Sequence, residues 1–331
     1  MTVDALEFRL LNEFQRDFPL EHAPYRRLAT RLGSDEATVL AGLERLRAAG
    51  MVSRVGPVFA PRRVGASTLA ALAAPEGELE RIAARVSARP EVNHNYRREH
   101  RYNLWFVVTA ADDAALAATL EQIERDTGCA VLSLPLLEEF HIDLGFDLAG
   151  VCKAASAPRL IEGEAAPALG PGERRLMAAL QDGIALVPHP FAEVAARAGM
   201  EEEEVLARLR AWLAEGTIKR FGVVVRHHEL GFTANAMAVW DVPDEAVCAL
   251  GQRLAAEPAV TLCYRRRRHA PEWPYNLFCM IHGRARAEVE QAIAALGTRL
   301  GLDRYDHAVL FSTKRYKQRG ARYALAEAAN G

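Results

Sequence analysis

The stretch Ala259–Gly283 reads AVTLCYRRRRHAPEWPYNLFCMIHG, and a shorter counterpart, EVNHNYRREHRYNLWFVVT, occurs at Glu91–Thr109. Both contain Tyr-Arg-Arg, then a histidine, then Tyr-Asn-Leu followed by an aromatic residue, in the same order. A pattern of this length that occurs twice in one chain indicates an internal duplication. We therefore predict two modules of one fold, and we expect the chemistry of the protein to lie in the repeated stretch.

Three short amphipathic helices and a strand precede each repeat, which is typical of a winged helix-turn-helix. Each repeat itself falls within a strand-helix-strand-strand-helix-strand order, which predicts a ferredoxin-like α/β sandwich. We therefore predict an α+β fold with two tandem modules, each a winged helix-turn-helix followed by a sandwich. The predicted boundaries are 1–55 and 56–153 for the first module, a linker rich in Ala, Pro and Gly at 154–172, and 173–221 and 222–331 for the second module.

The chain has 331 residues, of which 50% are hydrophobic and 25% are charged, with a net charge of -2. This composition indicates a globular protein with a substantial core, and it provides no overall basic field for nucleic acid or an anionic membrane. The five cysteines include no Cys-x-x-Cys pair, which is typical of free thiols in a reducing compartment. The sequence shows neither a signal peptide nor the apolar run of about 20 residues that a membrane span needs. We expect a cytoplasmic protein.

The third helix of each helix-turn-helix decides whether DNA binding is to be expected. A recognition helix needs basic or amide side chains at its N-terminal face, because phosphates and purine edges are mostly acceptors. The second module instead has Glu201–Glu204 there, and the first has Asp35 and Glu36. These carboxylates suit a solvated helix start and would repel phosphate, so we do not expect nucleic acid as a partner. Four arginines of the first module keep DNA binding open as a weaker alternative: Arg26, Arg27, Arg45 and Arg47.

The arginine run Arg265–Arg268 has two interpretations. Charge runs are usually solvated surfaces, but this one leads directly into a strand and has the apolar Trp273, Pro274 and Tyr275 beside it. Arginine next to aromatic residues suits a planar ligand with several carboxylates, because guanidinium binds carboxylate bidentately and stacks on flat rings. Polyphosphate or single-stranded nucleic acid would suit the same residues, although the module has no glycine-rich phosphate loop.

Histidines follow both arginine runs, at His100 and His269, and a second pair, His141 and His307, also recurs. Four further histidines have no obvious counterpart in the opposite half: His94, His227, His228 and His282. Neutral imidazole can ligate the iron of a heme-type ligand, and imidazolium can donate a proton near neutral pH. A lone histidine is nevertheless more often structural. Because no histidine spacing indicates a zinc site, we predict no metal site built by the protein itself.

The repeated stretches and their flanks resemble the siroheme decarboxylases, as a single-chain fusion of a D-like subunit followed by an L-like one. The matching strings are Val55–Phe59, Asn95–Arg98, Tyr102–Trp105 and His141–Phe146 in the first half, and Arg220–Gly222, Tyr264–Arg265, Trp273–Phe278, Met280–His282 and Ser312–Arg315 in the second. That family is related to the Lrp/AsnC transcriptional regulators, which have the same order of domains. An Lrp/AsnC-like regulator, or a tetrapyrrole sensor that binds DNA, remains the alternative.

The resemblance implies removal of two acetate carboxyl groups from siroheme, giving 12,18-didecarboxysiroheme for the synthesis of heme d1 or heme. Such a reaction needs cations to hold the remaining carboxylates, an acid and a dry pocket. On this basis we assign catalytic roles to His100, His269, Tyr96 and Tyr264, with His100 or His269 as a ligand of the substrate iron. The implied substrate-binding residues are Arg97, Arg98, Arg265, Arg266, Arg268, Trp273 and Tyr275, although about half of the arginines in an extended segment should face away.

The expected partners are siroheme and didecarboxysiroheme, with no membrane. No added cofactor is expected, because siroheme is the substrate and brings its own iron. The duplication predicts a pseudo-dimer within one chain, and a homodimer of such chains stays open. The second repeat has about five extra residues between its Tyr-Arg and Tyr-Asn-Leu strings. We therefore expect two related sites, one in each module, that differ from each other, with one of them weak or inactive.

Overall fold

The computed structural model describes residues 3–60, 63–142, 159–160, 169–225 and 234–320 of the chain. The helices are α1 (Ala5–Glu13), α2 (Pro24–Leu32), α3 (Glu36–Ala48), α4 (Leu79–Ala88), α5 (Asp113–Thr127), α6 (Pro171–Leu180), α7 (Pro190–Ala198), α8 (Glu202–Ala214), α9 (Asp244–Ala255) and α10 (Arg286–Leu300). The strands are β1 (Val52–Phe59), β2 (Ala66–Leu72), β3 (Val92–Arg98), β4 (Leu104–Ala110), β5 (Val131–Ile142), β6 (Arg159–Leu160), β7 (Ile218–Val225), β8 (Ala234–Trp240), β9 (Val260–Arg266), β10 (Leu277–Gly283) and β11 (His307–Gln318). This order confirms the predicted α+β fold with two tandem modules.

The helices of the helix-turn-helix units begin and end at clear local signals. The carboxylate of Asp4 precedes α1 and accepts the backbone N–H of Glu7 at 2.7 Å. Asp35 caps α3 in the same way. The second helix of each unit ends at a glycine in the left-handed conformation, Gly33 after α2 and Gly199 after α7. Caps of this kind explain why the sequence predicts these helices to within a few residues.

The two helix-turn-helix units share one hydrophobic core. Strand β1 pairs antiparallel with β7, so the wing strand of each unit pairs with that of the other, and Gly56 lies opposite Gly222. A Cβ atom on Gly222 would lie 2.4 Å from the carbonyl oxygen of Phe14, and one on Gly56 would lie 2.9 Å from Cα of Gly183. Glycine is therefore required at both positions. To complete this pairing, both strands continue past the predicted domain boundaries at residues 55 and 221.

The two sandwiches close into a single barrel. The strand order is β5-β2-β4-β3 in the first module and β11-β8-β10-β9 in the second. Edge strand β3 then pairs with β11, and β9 pairs with β5, both antiparallel. Eight strands thus form a closed ring in which each module covers the edges of the other. This ring is the pairing of two modules within one chain that the duplication predicts.

Side chains on the strands of the barrel alternate between two environments. Helices α4 and α5 cover the outside of the first module, and α9 and α10 cover the outside of the second, each with its own core. A third core fills the inside of the ring and contains residues of both modules. Whether a strand residue faces a helix or the barrel interior therefore decides whether it can reach an enclosed ligand.

The predicted linker at 154–172 is described only in part. Strand β6 pairs with Glu138 and Glu139 of β5, and α6 begins at Pro171, so the segment is not wholly irregular as its composition predicts. The rest of the linker lies outside the described ranges. So do His227 and His228, and the last residues of the string that begins at His141.

Candidate active site

A cavity of about 420 Å³ lies in the barrel, beneath the two-stranded sheet of β1 and β7. Its walls are the inner faces of strands from both modules, and its roof is formed by β1, β7 and the end of α6. Much of the wall is apolar, with Leu69, Trp105, Met237 and Met280 among its side chains. The cavity therefore belongs to the two modules jointly.

The charged side chains of the cavity wall are all basic. No aspartate or glutamate is among the described residues that line it, whereas five arginines are: Arg54, Arg98, Arg220, Arg266 and Arg319. Because a charge withdrawn from water needs an opposite charge or several hydrogen bonds, this wall is suited to a ligand with several anionic groups. The apolar part of the wall suits a large hydrophobic body on the same ligand.

Arg98 and Arg266, the last residues of β3 and β9, form the floor pair of arginines. Arg98 Nη1 donates to the carbonyl oxygen of Leu310 at 3.0 Å, and Arg266 Nη1 donates to that of Leu134 at 2.7 Å. Each acceptor is the fourth residue of the other module's last strand. Burial lowers the pKa of Arg98 to about 10, and it also lowers the pKa of Arg266. Neither guanidinium has a carboxylate partner among the described residues, so both are available to an anionic ligand.

Arg54 and Arg220 form the roof pair, at the third position of β1 and of β7. Arg54 Nη2 donates to the carbonyl oxygen of Pro57 at 3.0 Å, and Arg220 Nη1 donates to that of Val223 at 3.3 Å. Burial lowers the pKa of Arg54, and the nearby Asp182 opposes this shift. The cavity therefore presents one pair of guanidinium groups from the helix-turn-helix layer and another from the barrel.

Tyr96 and Tyr264 both line the cavity, each two residues before its floor arginine. The guanidinium carbon of Arg266 lies 4.6 Å from the centre of the Tyr264 ring, and that of Arg98 lies 5.8 Å from the Tyr96 ring. Burial raises the pKa of Tyr96, although Arg98 opposes the shift. The two tyrosines, predicted from the repeated motif, thus stand in one enclosed site.

Three of the predicted substrate-binding arginines lie outside the cavity. Strand alternation turns Arg97 to the outer face, where its Nη2 lies 3.0 Å from the carboxylate of Glu76. Arg265 pairs in the same way with Asp244 at 2.9 Å. Arg268 follows the end of β9 and binds two carboxylates at 2.8 Å, those of Asp241 and Asp244. For these three residues the structure does not support the predicted contact with substrate.

His100 and His269 are not among the residues that line the cavity, because both follow the strand that carries the floor arginine. His100 is half-buried, and its Nδ1 accepts the N–H of Tyr102 at 3.0 Å. Burial lowers the pKa of His100, and Arg101 acts in the same direction. His269 is exposed, and its Nδ1 lies 3.4 Å from the carboxylate of Glu272. Neither histidine is positioned as the predicted acid or iron ligand.

Trp273 and Tyr275 close the end of the barrel instead of lining the cavity. Trp273 is fully buried, with its ring centre 4.9 Å from that of Trp105 and 5.0 Å from that of Tyr275. Trp105, which Trp273 contacts, lines the cavity, whereas Trp273 itself does not. The extra residues of the second repeat thus provide the aromatic side chains that close this end of the barrel, and the first repeat has no such residues.

Sequence reasoning missed several residues of the cavity wall. His94 and His282 both line it, and so does Asn235. The sequence could have indicated His94, because it alternates with Tyr96 and Arg98 and so lies on the same face of β3. His282 likewise alternates with Met280 on β10. The roof pair had a signal too, an arginine two residues before a glycine in both modules.

The histidines His141 and His307 are not equivalent, in contrast to the interpretation of the sequence. His307 begins β11, whereas His141 is the last residue but one of β5. Within the described ranges, no group of three or more His, Cys, Asp or Glu residues is arranged to hold a metal ion. No helix of those ranges is long and apolar enough to cross a membrane.

The closed double sandwich with a basic cavity shared by both modules defines a ligand-binding protein of AsnC-like architecture. Residues 63–141 and 229–317 match the profile of the AsnC-like ligand binding domain, and residues 7–52 and 173–218 match that of the siroheme decarboxylase NirDL-like HTH domain. The siroheme decarboxylase NirDL subunit of Paracoccus denitrificans is 49% identical over 324 residues, 98% of this chain and 99% of that protein. The chain belongs to the siroheme decarboxylase NirDL family.

Two further proteins bear on the two halves of the chain and on the cavity. The siroheme decarboxylase NirD subunit of Stutzerimonas stutzeri is 57% identical over 148 residues, 45% of this chain and 97% of that protein. A crystal structure of the siroheme decarboxylase NirDL in complex with an iron-uroporphyrin III analogue covers 96% of this chain, and this chain covers 93% of it, with 28% identity and a TM-score of 0.69. About half of the chain therefore corresponds to a complete separate subunit.

Proposed function

We propose that the protein removes two acetate carboxyl groups from siroheme to give 12,18-didecarboxysiroheme. The observation that carries this proposal is the cavity wall, with five arginines and no described carboxylate around an apolar interior. Siroheme is a flat iron macrocycle with carboxylate side chains around its rim. The roof and floor pairs suit carboxylates on different parts of that rim, since guanidinium binds carboxylate through paired hydrogen bonds.

Each decarboxylation breaks the bond between the methylene carbon of an acetate and its carboxyl carbon. CO2 leaves, the electron pair stays on the methylene carbon and is delocalised into the ring, and a proton added to that carbon gives a methyl group. The enzyme must therefore hold the other carboxylates, exclude water and supply the proton. No added cofactor is proposed, because the macrocycle itself accepts the electron pair and brings its own iron.

We assign the carboxylate-binding role to Arg98 and Arg266 together with Arg54 and Arg220. Tyr96 and Tyr264 are the proposed proton donors, and the burial that raises the pKa of Tyr96 keeps its phenol protonated. His94 and His282 take the place of His100 and His269 as the histidines that can face the substrate iron or relay a proton. Thr261 contacts His282, with its Oγ1 2.8 Å from Nδ1, and thereby orients the ring.

The regulator alternative is not supported by the helix-turn-helix units. The start of α8, where a recognition helix would meet DNA, is occupied by His22 of the first module. Its Nε2 lies 2.7 Å from the carboxylate of Glu203, and its Nδ1 lies 3.1 Å from that of Glu202. A helix start that combines carboxylates with an internal contact is unsuited to phosphate. The units instead provide the roof of the cavity.

Anaerobic incubation with siroheme, followed by mass analysis of the pigment, tests the proposal. We expect the loss of two CO2 per macrocycle. An unchanged pigment mass with bound siroheme would support a sensor instead, and a DNA footprint in the same preparation would support a regulator.

A further inference from the structure

The floor pair of arginines is related by the internal duplication but is not held in the same way. Arg98 and Arg266 occupy the same position in equivalent strands, and each donates to the equivalent carbonyl of the other module, that of Leu310 or Leu134. Any other contact that one of these arginines makes and the other lacks therefore distinguishes the first module's side of the cavity from the second module's side.

Arg98 has a side-chain contact with Asn235 of the second module in addition to its bond to Leu310. Its Nη1 lies 3.5 Å from Asn235 Oδ1, and its Nη2 lies 3.9 Å from the sulfur of Met280. Asn235 is the second residue of β8, and the second residue of β2 is Ser67. A serine side chain is too short to make the equivalent contact with Arg266. The amide of Asn235 is thus the polar group that distinguishes the surroundings of the two guanidiniums.

Arg266 lies over its own tyrosine. Its guanidinium carbon is 4.6 Å from the Tyr264 ring centre, within the range of a cation–π contact, and 5.9 Å from that of Phe278. The corresponding distance between Arg98 and Tyr96 is 5.8 Å. Both arginines therefore lie over the tyrosine of their own strand, but Arg98 lies farther from its ring centre than Arg266 does.

The position of Arg98 also affects access from outside. Arg98 lines a polar recess on the outer side of the barrel together with Arg97, His100 and Lys314. In the second module Arg268, which lies in the longer loop, binds Asp241 and Asp244. The side chain that Asn235 holds is therefore part of the wall between the cavity and solvent on one side of the barrel.

We propose that Asn235 is a positioning residue that makes the two decarboxylations unequal. Through its contact with Arg98, the guanidinium that lies farther from its own tyrosine ring, it directs the acetate beside Arg98 and Tyr96 to react first. The acetate beside Arg266 and Tyr264 reacts second, after Arg266 leaves the tyrosine ring. This inference rests on the proposed function, because it concerns the order of the two steps at the same site.

The test compares Asn235→Ser, which makes the two modules alike at this position, with the exchange Asn235→Ser/Ser67→Asn. Anaerobic time courses would separate singly and doubly decarboxylated pigment and identify by NMR which acetate has been lost. We expect one singly decarboxylated isomer from the wild-type chain. The first step should slow on the order of tenfold in N235S, as for loss of one hydrogen bond to a charged group, and both isomers should then appear. The exchange should favour the other isomer.

Asn95→Ser is the matched control, because Asn95 is a buried asparagine on the outer face of β3 that bonds to Ala83 and Ser87. It should lower the melting temperature without changing the isomer ratio. Normal turnover with an unchanged isomer ratio in N235S would overturn this inference alone. No CO2 release by the wild-type chain would overturn the proposed function, and this inference with it.

Discussion

Two adjacent arginines show how position along a strand decides what a side chain does. Arg97 and Arg98 have the same chemistry, but Arg97 faces outward to Glu76 and Arg98 faces the cavity. The exposed ion pair between Arg97 and Glu76 contributes less than about 1 kcal/mol to stability. Arg98 is buried without a carboxylate partner in the described chain, and such a guanidinium is retained at a cost in desolvation. Of these two neighbouring residues, Arg97 therefore contributes a little to stability, and Arg98 is suited to ligand binding.

We expect Arg98→Met to weaken siroheme binding by about ten- to a hundredfold, the loss expected for a hydrogen-bonded charge pair. The melting temperature of the ligand-free protein should stay the same or rise, because an unpaired buried charge is removed. Pigment titration followed by absorbance would measure the affinity. Arg97→Met is the matched control and should bind siroheme within about twofold of wild type. Equal losses in both variants would contradict the assignment of Arg98 to the site.

The loop between β9 and β10 is the element that distinguishes the second module. The repeated asparagine in both loops has a structural role: the amides of Asn103 and Asn276 each exchange two hydrogen bonds with one backbone residue, Ala74 or Val242. The extra residues between Arg266 and Asn276 place Trp273 against Trp105. The aromatic residues of this loop thus close the barrel.

Trp273→Ala should destabilise the protein by about 3–5 kcal/mol, as for truncation of a fully buried large aromatic residue. Denaturant unfolding would measure the change, and Trp273→Phe should give a smaller loss. The affinity for siroheme of the folded fraction should change little. A variant with normal stability and lost binding would instead restore the predicted role of Trp273 as a wall of the binding site.

A second element-scale contact joins the start of α8 to the first module through His22. Hydrogen bonds that His22 donates to the carboxylates of Glu202 and then Glu203 raise the pKa of His22 above its ordinary value of 6.5. A pKa that is higher in the folded state means that the contact stabilises fully below pH 6.5 and loses this effect as the pH rises through the raised pKa.

We therefore expect the melting temperature of the wild-type chain to fall between about pH 6 and pH 8 by more than that of His22→Gln. The measurement is a series of thermal melts at constant ionic strength. Parallel pH profiles would show that this contact contributes nothing to stability, as many exposed ion pairs do.

At the scale of the whole molecule, the barrel closes only when the two modules meet. Each sandwich alone would expose two edge strands, β3 and β5 in the first module and β9 and β11 in the second. Exposed edges of this kind pair with other chains. The siroheme decarboxylase NirD subunit of Stutzerimonas stutzeri is similar to about half of this chain.

Residues 1–153 and 173–331, produced as two chains, should form a 1:1 complex that binds siroheme. Either half alone should self-associate or aggregate, because its edge strands lack their partners. Size-exclusion chromatography with light scattering distinguishes these results. Two stable monomeric halves would contradict the closed ring.

The sequence predicted the fold, and it named two pairs of residues that the structure places at the cavity. Helix caps, strand alternation and the duplicated motif are local signals, and they predicted both modules and the pairs Tyr96–Arg98 and Tyr264–Arg266. The sequence could not show that β1 pairs with β7 or that β3 pairs with β11, because these contacts join distant parts of the chain. The places of His94, Asn235 and the roof pair depend on those pairings. His100, His269 and Trp273 are not among the residues that line the cavity, because they lie in the loops that follow the floor arginines.

The crossed attachment of the floor arginines makes the ligand part of the assembly. Arg98 is attached to a carbonyl of the second half and Arg266 to one of the first, so a macrocycle that engages both spans the seams between the halves. A ligand present at a hundred times its dissociation constant stabilises the state that binds it by about 2.7 kcal/mol. Siroheme would act as a reversible cross-link in a chain cut at the linker. The product has two fewer carboxylates and would stabilise the association of the two halves less. Each turnover would therefore weaken the association that the substrate had strengthened.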